Sequence, residues 1–271
     1  MDFNEIYRKI KNLEIQGAEN VARYGIKALM IRHDKNSVKK ILSLRSTEPL
    51  LKNAIRFSIS NPEVLGQIAL KHFDDAEAEI ARLGSRLVKS GFKVFTHCHS
   101  STVVNILKEA KKTKKFDGFN TETRPLLQGR KTATELNKLG IKVNHMVDSM
   151  AEYGIRNSDI MLIGADSITD KYAINKVGSA MLVKLAGDYG LPVYVCADSW
   201  KYDNKETKIE ERPAEEVWKN APRGVTVINY AFDKIEERLI RKIVSEIGIY
   251  EHEDFIKSVK KHYPWIQGRG D

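Results

Sequence analysis

Cysteine is scarce in this chain: Cys98 and Cys196 are the two among 271 residues. Two thiols make no disulfide framework, and the simple inference is a reducing cytosol. Long hydrophobic runs are lacking too. No apolar stretch approaches the ~18 residues of a membrane-spanning helix, so no membrane association is expected. The opening M-D-F-N-E-I-Y-R-K-I is charged and amphipathic, without the apolar centre of a signal peptide. Short-period repeats and low-complexity tracts are absent, which excludes a repeat architecture. Acidic residues are outnumbered, 36 against 45 basic, leaving a formal charge of +9. That excess permits nucleic acid, an acidic protein or a phosphorylated substrate as partner, and equally a mixed-charge soluble surface. The basic run Lys108 to Lys115 has no interleaved aromatics and matches no RNA-recognition motif. It reads as the solvated C-terminal end of a helix.

What is present is an ordinary globular composition, 42% hydrophobic and 30% charged, long enough to bury a full core. Residues 1–90 carry helical periodicity and no convincing strand. Phe3, Ile6, Tyr7, Ile10 and Leu13 share one helix face, with Asp2 as a cap. A second amphipathic helix follows Gly17-Ala18. Ser37 is the expected cap of a third, and Pro49 suits the first turn of a fourth. Asn61-Pro62 marks a restart, and a last helix is expected from about Asp74 to Ser90, ended by Gly91.

After Gly91 the pattern becomes strand, loop, helix, repeated. The predicted strands are Lys93–Phe95, Gly118–Thr121, Lys142–Met146, Ile160–Ile163, Val193–Cys196 and Val225–Ile228. Helices are predicted at Val103–Lys112, Lys131–Leu139 and Val177–Tyr189. Such alternation describes an α/β fold, a parallel sheet with helices on both faces, over residues 91–271.

Polar clusters fall where these strands end: T-H-C-H-S-S, T-E-T-R-P, V-D-S-M, G-A-D-S-I and A-D-S-W-K. In a parallel sheet those ends share one edge, where ligands usually bind. Packing alone does not call for so many polar groups there. Cys98, between a strand and a helix and flanked by His97 and His99, is either a small apolar plug or an acid–base group. In the second case the helix N-terminus would lower its pKa. A metal held by His97, Cys98 and His99 is disfavoured, because consecutive extended residues face opposite ways. Asp166 follows an apolar strand with small residues at its exit, where it either bonds turn amides or donates a proton from a semi-buried cleft. Asn175-Lys176 just precede a helix, where a lysine opposes the dipole unless an anion binds there.

T-H-C-H-S at 96–100, T-E-T-R-P-L-L-Q-G at 121–129, G-A-D-S-I at 164–168, I-N-K-V-G at 174–178 and A-D-S-W-K-Y at 197–202 occur in a characteristic order. Together they resemble the superfamily of translation initiation factor 2B alpha, beta and delta subunits. Its enzymatic members include archaeal ribose-1,5-bisphosphate isomerase, the closer match, and the more distant methylthioribose-1-phosphate isomerase. The resemblance covers nearly the whole chain. It implies a helical N-terminal domain, a Rossmann-like C-terminal domain and a homo-oligomer, dimer or hexamer. By the same resemblance Cys98 and Asp166 are the catalytic pair of a sugar-phosphate aldose–ketose isomerase that needs no metal or redox cofactor. Gly17, Ala18, Arg45, Ser100, Ser101, Thr102, Asn175, Lys176 and Lys201 are then its contacts to a phosphorylated pentose. The alternative is a non-catalytic regulatory subunit that senses a nucleotide or sugar phosphate and contacts the translation machinery; such subunits commonly lack the pair. The chain departs from the family in three places. His99 replaces an asparagine. Gln16-Gly17-Ala18-Glu19-Asn20 replaces R-G-A-G-R, so that Glu19 is expected to repel a phosphate unless it is turned away. The turn between Asp166 and Asn175 is one residue short.

Overall fold

The computed structural model describes residues 1–44, 48–205 and 209–267, and among these five helices come first. They are α1 (Phe3–Lys11), α2 (Ala18–Ile31), α3 (Lys35–Ser43), α4 (Pro49–Ser58) and α5 (Pro62–Ser85). Asp2 caps α1 as expected, accepting from the Glu5 amide at 2.9 Å. The cap of α3 is Asp34 and not Ser37. Asp34 comes first in the chain, and its carboxylate accepts the amides of Asn36 and Ser37 as well as the Ser37 hydroxyl. Asn61 caps α5 and Pro62 opens it, but no second helix begins near Asp74. No proline interrupts the run, so α5 continues for 24 residues to Ser85, and Gly91 (φ +88°) forms the turn into the first strand instead of capping the helix.

The second half alternates as the pattern predicts. It comprises β1 (Lys93–Thr96), α6 (Ser101–Lys111), β2 (Asp117–Thr121), α7 (Gln128–Lys138), β3 (Lys142–Met146), α8 (Ala151–Arg156) and β4 (Ile160–Gly164). Then follow β5 (Ser167–Ile168), β6 (Tyr172–Lys176), α9 (Ser179–Asp188), β7 (Val193–Cys196), β8 (Phe232–Glu236), β9 (Lys242–Ser245), β10 (Gly248–Tyr250) and α10 (His252–His262). Among the described residues, seven strands form one sheet in the order β10-β9-β7-β4-β1-β2-β3, parallel except for β10. Its strands alternate between two faces. Val94, Leu162, Cys196 and Val244 join a buried cluster with Ile80 of α5 and Ile106 and Leu107 of α6. Phe95, Met161, Ile163, Val195 and Ile243 join another with Ile155 of α8, Val183 of α9 and Phe255 of α10. A period of two along buried strands, with helices on both sides, is the doubly wound, Rossmann-like arrangement.

Val225–Ile228 is not a strand. Val225 and Ile228 are 47% and 68% exposed, and the sixth parallel strand is β9, whose Ile243 and Val244 fill both faces. β-branched residues suit a strand when neighbours cover them, and among the described residues little covers Val225–Ile228. A second sheet, the antiparallel β5-β6-β8, was not expected. It puts Asn175 and Lys176 at the end of a strand, and α9 begins three residues further on.

The sheet order has one consequence for ligands. β2 and β3 lie to one side of β1, and β4, β7 and β9 to the other. The winding therefore reverses between β1 and β4, and the crevice of an open sheet lies at such a reversal. Cys98 follows β1 and Asp166 follows β4. The first helices close over this edge. The buried Asn53 amide of α4 donates to the carbonyls of Trp200 (2.7 Å) and Tyr202 (2.9 Å), and Arg56 donates to that of Ile266 at 2.7 Å. Among the described residues, no helix is long and apolar enough to cross a membrane.

Candidate active site

A cavity of about 490 Å³ opens at the β1–β4 reversal. Gly17, Ala18, Cys98, Ser100, Ser101, Thr102, Asp166, Asn175, Lys176 and Lys201 all line it. Arg45 lies outside the described residues. Close backbone packing brings the two strand ends together. A Cβ on Gly164, the last residue of β4, would lie 2.6 Å from the Ser100 hydroxyl and 2.8 Å from its Cβ. Glycine there lets the N-cap of α6 seat directly against the strand that leads to Asp166.

Cys98 has φ +65°, a conformation few non-glycine residues adopt. Two buried hydroxyls hold it there. Thr123 Oγ1 accepts the Cys98 amide at 2.9 Å, and Thr132 Oγ1 donates to its carbonyl at 2.8 Å. The surroundings of the thiol disfavour its ionisation. Burial pushes its pKa up to about 11; the Lys176 ammonium and the His99 amide pull it down by less, and Asp166 and Asp148 add to the rise. Of the two readings of Cys98, the lowering by a helix N-terminus does not prevail, because α6 starts only at Ser101, with Ser100 as its cap, while Cys98 sits behind that end and is 8% exposed. Thiolate is scarce wherever the pH lies below a raised pKa. Alkylation of Cys98 by iodoacetamide, followed by mass spectrometry, should be slow at pH 7. It should then rise about tenfold per pH unit toward pH 11. Cys196 is fully buried with its pKa raised further, so it should stay unmodified. A profile already level at pH 8 would contradict this environment.

The flanking histidines do not converge on the thiol. His97 Nε2 lies 3.0 Å from the Val177 carbonyl, which can only accept, so Nε2 carries the proton. Nδ1 then accepts from Thr121 Oγ1 at 2.6 Å. Burial lowers the His97 pKa and keeps the ring neutral. His99 turns to α7, with Nε2 3.0 Å from Glu135.

The cations are held by the fold. Lys201 Nζ donates to the Ala165 carbonyl at 2.7 Å, beside Asp166. Lys176 Nζ sits 5.0 Å from the Phe232 ring centroid. Asn175 donates to Ser179 Oγ at 2.9 Å. The N-terminus of α9 does not await an external anion: Asp233 accepts the amides of Gly178 (2.6 Å) and Ala180 (3.2 Å). Glu19 is likewise not a bare negative charge. Arg23, one helical turn on, bonds it at 2.7 Å and also bonds Asp74 at 2.7 Å.

Arg23, Glu77, Lys131, Asp198, Glu210 and Arg212 also line the cavity. The Glu19–Arg23 spacing could have been read as a helical ion pair; Arg212 comes from a stretch with no periodicity to place it. Asp198 belongs to a half-buried cluster with His72 and Glu246, whose ligand atoms lie within 4.8 Å of one another. These atoms already have protein partners. Asp198 accepts from the Trp200 amide at 2.7 Å, and Glu246 accepts the Ser199 amide and hydroxyl. Burial and Asp198 raise the Glu246 pKa to about 7.

A polar cavity at the reversal of a doubly wound sheet is the place where Rossmann-like proteins hold their ligands. The model of the Initiation factor 2 subunit family matches residues 35–252, and the chain belongs to that family. Ribose 1,5-bisphosphate isomerase of Methanocaldococcus jannaschii is 30% identical over 97% of this chain and 96% of its own length. The protein of the same name from Archaeoglobus fulgidus is 33% identical over 90% and 88%. Among solved structures, a translation initiation factor eIF-2B of Pyrococcus horikoshii OT3 is similar, with a TM-score of 0.82 and 27% identity over 92% of this chain and 96% of that one.

Proposed function

We propose that the protein is an aldose–ketose isomerase acting on a pentose 1-phosphate, ribose 1,5-bisphosphate first among them. The observation that carries this is the opening of Cys98 and Asp166 into one cavity that also holds Lys176 and Lys201. In this reading Asp166 is the proton donor and Cys98 the proton acceptor. The 1-phosphate locks the sugar ring, so the ring must open first. Asp166 gives a proton to the ring oxygen as its bond to C1 breaks. Cys98, as thiolate, takes the proton from C2, and that electron pair forms the C1–C2 double bond of an enol phosphate. The proton returns to C1 while the hydroxyl on C2 loses its own, leaving a ketose with its phosphate still on C1. The active form thus carries its proton on Asp166 and its charge on sulfur, stabilised by Lys176 and the His99 amide. Lys176, Lys201 and Arg45 neutralise phosphate, with Gly17, Ala18, Asn175 and the start of α6 at Ser100–Thr102 as further contacts.

The same reading makes residues 1–90 a helical domain and 91–271 the Rossmann-like domain, in a cytoplasmic homo-oligomer. The change from helices alone to alternating strands and helices supports that division. The test is incubation of purified protein with ribose 1,5-bisphosphate, 5-methylthioribose 1-phosphate and 5-deoxyribose 1-phosphate. A ketose carbonyl signal by carbon NMR is expected with ribose 1,5-bisphosphate. No ketose from any of the three, with the protein folded, would favour the non-catalytic reading.

A further inference from the structure

Cys98 is not the sole residue near the cavity in a rare backbone conformation. Thr123, whose hydroxyl accepts the Cys98 amide, has φ +63°, an outlier for a β-branched side chain. Thr123 is fully buried, in the loop that follows β2. One carboxylate holds that loop. Asp148, at the exit of β3, accepts the Thr123 amide at 2.8 Å through one oxygen and the Arg124 amide at 2.7 Å through the other. The clamp therefore runs through three successive strand exits: Asp148 fixes Thr123, and Thr123 fixes Cys98. Thr132 of α7 holds the Cys98 carbonyl from the other side at 2.8 Å. Strained residues persist only where their surroundings over-determine them, and here both neighbours of the strained thiol are hydrogen-bonded hydroxyls.

We infer that Asp148 and Thr123 are positioning residues for Cys98: the carboxylate holds the threonine, and the threonine hydroxyl sets where the sulfur points. The inference rests on the proposed isomerase reading for its kinetics, and on geometry alone for its effect on the thiol. A group 1 Å out of place typically costs about a hundredfold in rate. Because neither residue lines the cavity, substrate binding should be spared.

The test uses the full-length protein and three variants. Thr123→Val, which keeps shape and loses the acceptor, should lower kcat for the ketose-forming reaction by about 10- to 100-fold. Its KM should stay within about twofold. Thr123→Ser should restore kcat to within about threefold, because the hydroxyl returns. Asp148→Asn should lower kcat by about tenfold with KM unchanged. Independently of turnover, the pH midpoint of Cys98 alkylation by iodoacetamide should fall by about one unit in Thr123→Val, as the thiol leaves its dry seat. Parental kcat in Thr123→Val or in Asp148→Asn would overturn the inference, as would a Thr123→Ser enzyme as slow as the valine variant. If the parent itself forms no ketose, the isomerase reading fails, and the alkylation midpoint alone decides: unmoved, it overturns the clamp. If Thr123→Val does not fold, Thr123→Ser and Asp148→Asn carry the test.

Discussion

Exchanging Cys98 for serine is expected to lower turnover of the pentose phosphate by about 10³-fold, and Asp166→Asn by a similar factor. A serine hydroxyl is a far weaker acid than a thiol, so almost none of it is available as the base that takes the C2 proton. An asparagine amide cannot give the proton that opens the ring. Both substitutions nearly preserve volume in a packed cavity, so the fold should survive, which far-UV circular dichroism would show. Affinity for inorganic phosphate, measured by calorimetry, should stay within about threefold, because the proposed phosphate contacts are other residues. The double variant should be hardly worse than either single one, since both residues serve one proton route. Ketose production at near-parental rates in both single variants would end the proposed mechanism.

Gly129→Ala is expected to be the most damaging glycine-to-alanine change among the described residues. A Cβ at this position would lie 1.8 Å from the Thr121 carbonyl oxygen and 2.9 Å from the Glu122 carbonyl carbon. Both are main-chain atoms, so no side chain can turn aside to make room. The same glycine donates its amide to the Glu122 carbonyl at 3.1 Å and accepts from the Asn120 side chain at 2.7 Å. It thereby presses the start of α7 onto the end of β2. Overpacking against a fixed backbone costs about 3 kcal/mol or more. For a chain of this size that lowers the unfolding midpoint by roughly 6–10 °C. The displaced segment is the one that carries Thr123, so activity should fall in the surviving folded protein as well. Scanning calorimetry gives the check: a midpoint within about 1 °C of the parent would show that the loop yields freely.

The parts of the fold readable from sequence were those whose burial follows a simple period. Val94-Phe95 and the run Ile160–Ile163 are apolar on both faces, as a central parallel strand requires, and Asn61-Pro62 opens a helix by chemistry local to the pair. F-D-K-I-E-E-R-L-I-R-K-I-V-S defeats the same reasoning. Its regular charges resemble a helix surface, yet it folds as β8, a turn and β9, because two different sheets each take a short piece of it. The convergence of Cys98 with the residues after β4 was legible because topology puts strand exits together. The state of the thiol was not. Its pKa depends on how completely the cavity dries it, and no spacing of residues encodes that. T-E-T-R-P marked Thr123 as part of a polar cluster and no more, because a positive φ at threonine runs against local preference and the carboxylate that accepts its amide, Asp148, comes from beyond the next strand. The setting of Glu19 follows from a partner four residues away on the same helix, Arg23, a pairing that its spacing does encode.

The strand order also bears on how the chain is made. As the polypeptide leaves the ribosome, β1 emerges first. β2 and then β3 extend the ladder on one flank, and β4, β7, β9 and β10 extend it on the opposite flank. The smaller ladder grows by the same rule, β8 docking on β6 after β5 has paired. Each newcomer meets a border that already exists, and none has to pry apart two partners that have joined. Long-range pairing is the slow part of building such a sheet. The strand order lets pairing proceed by stepwise accretion, and among the described residues Phe232 is the last in sequence to line the ligand chamber.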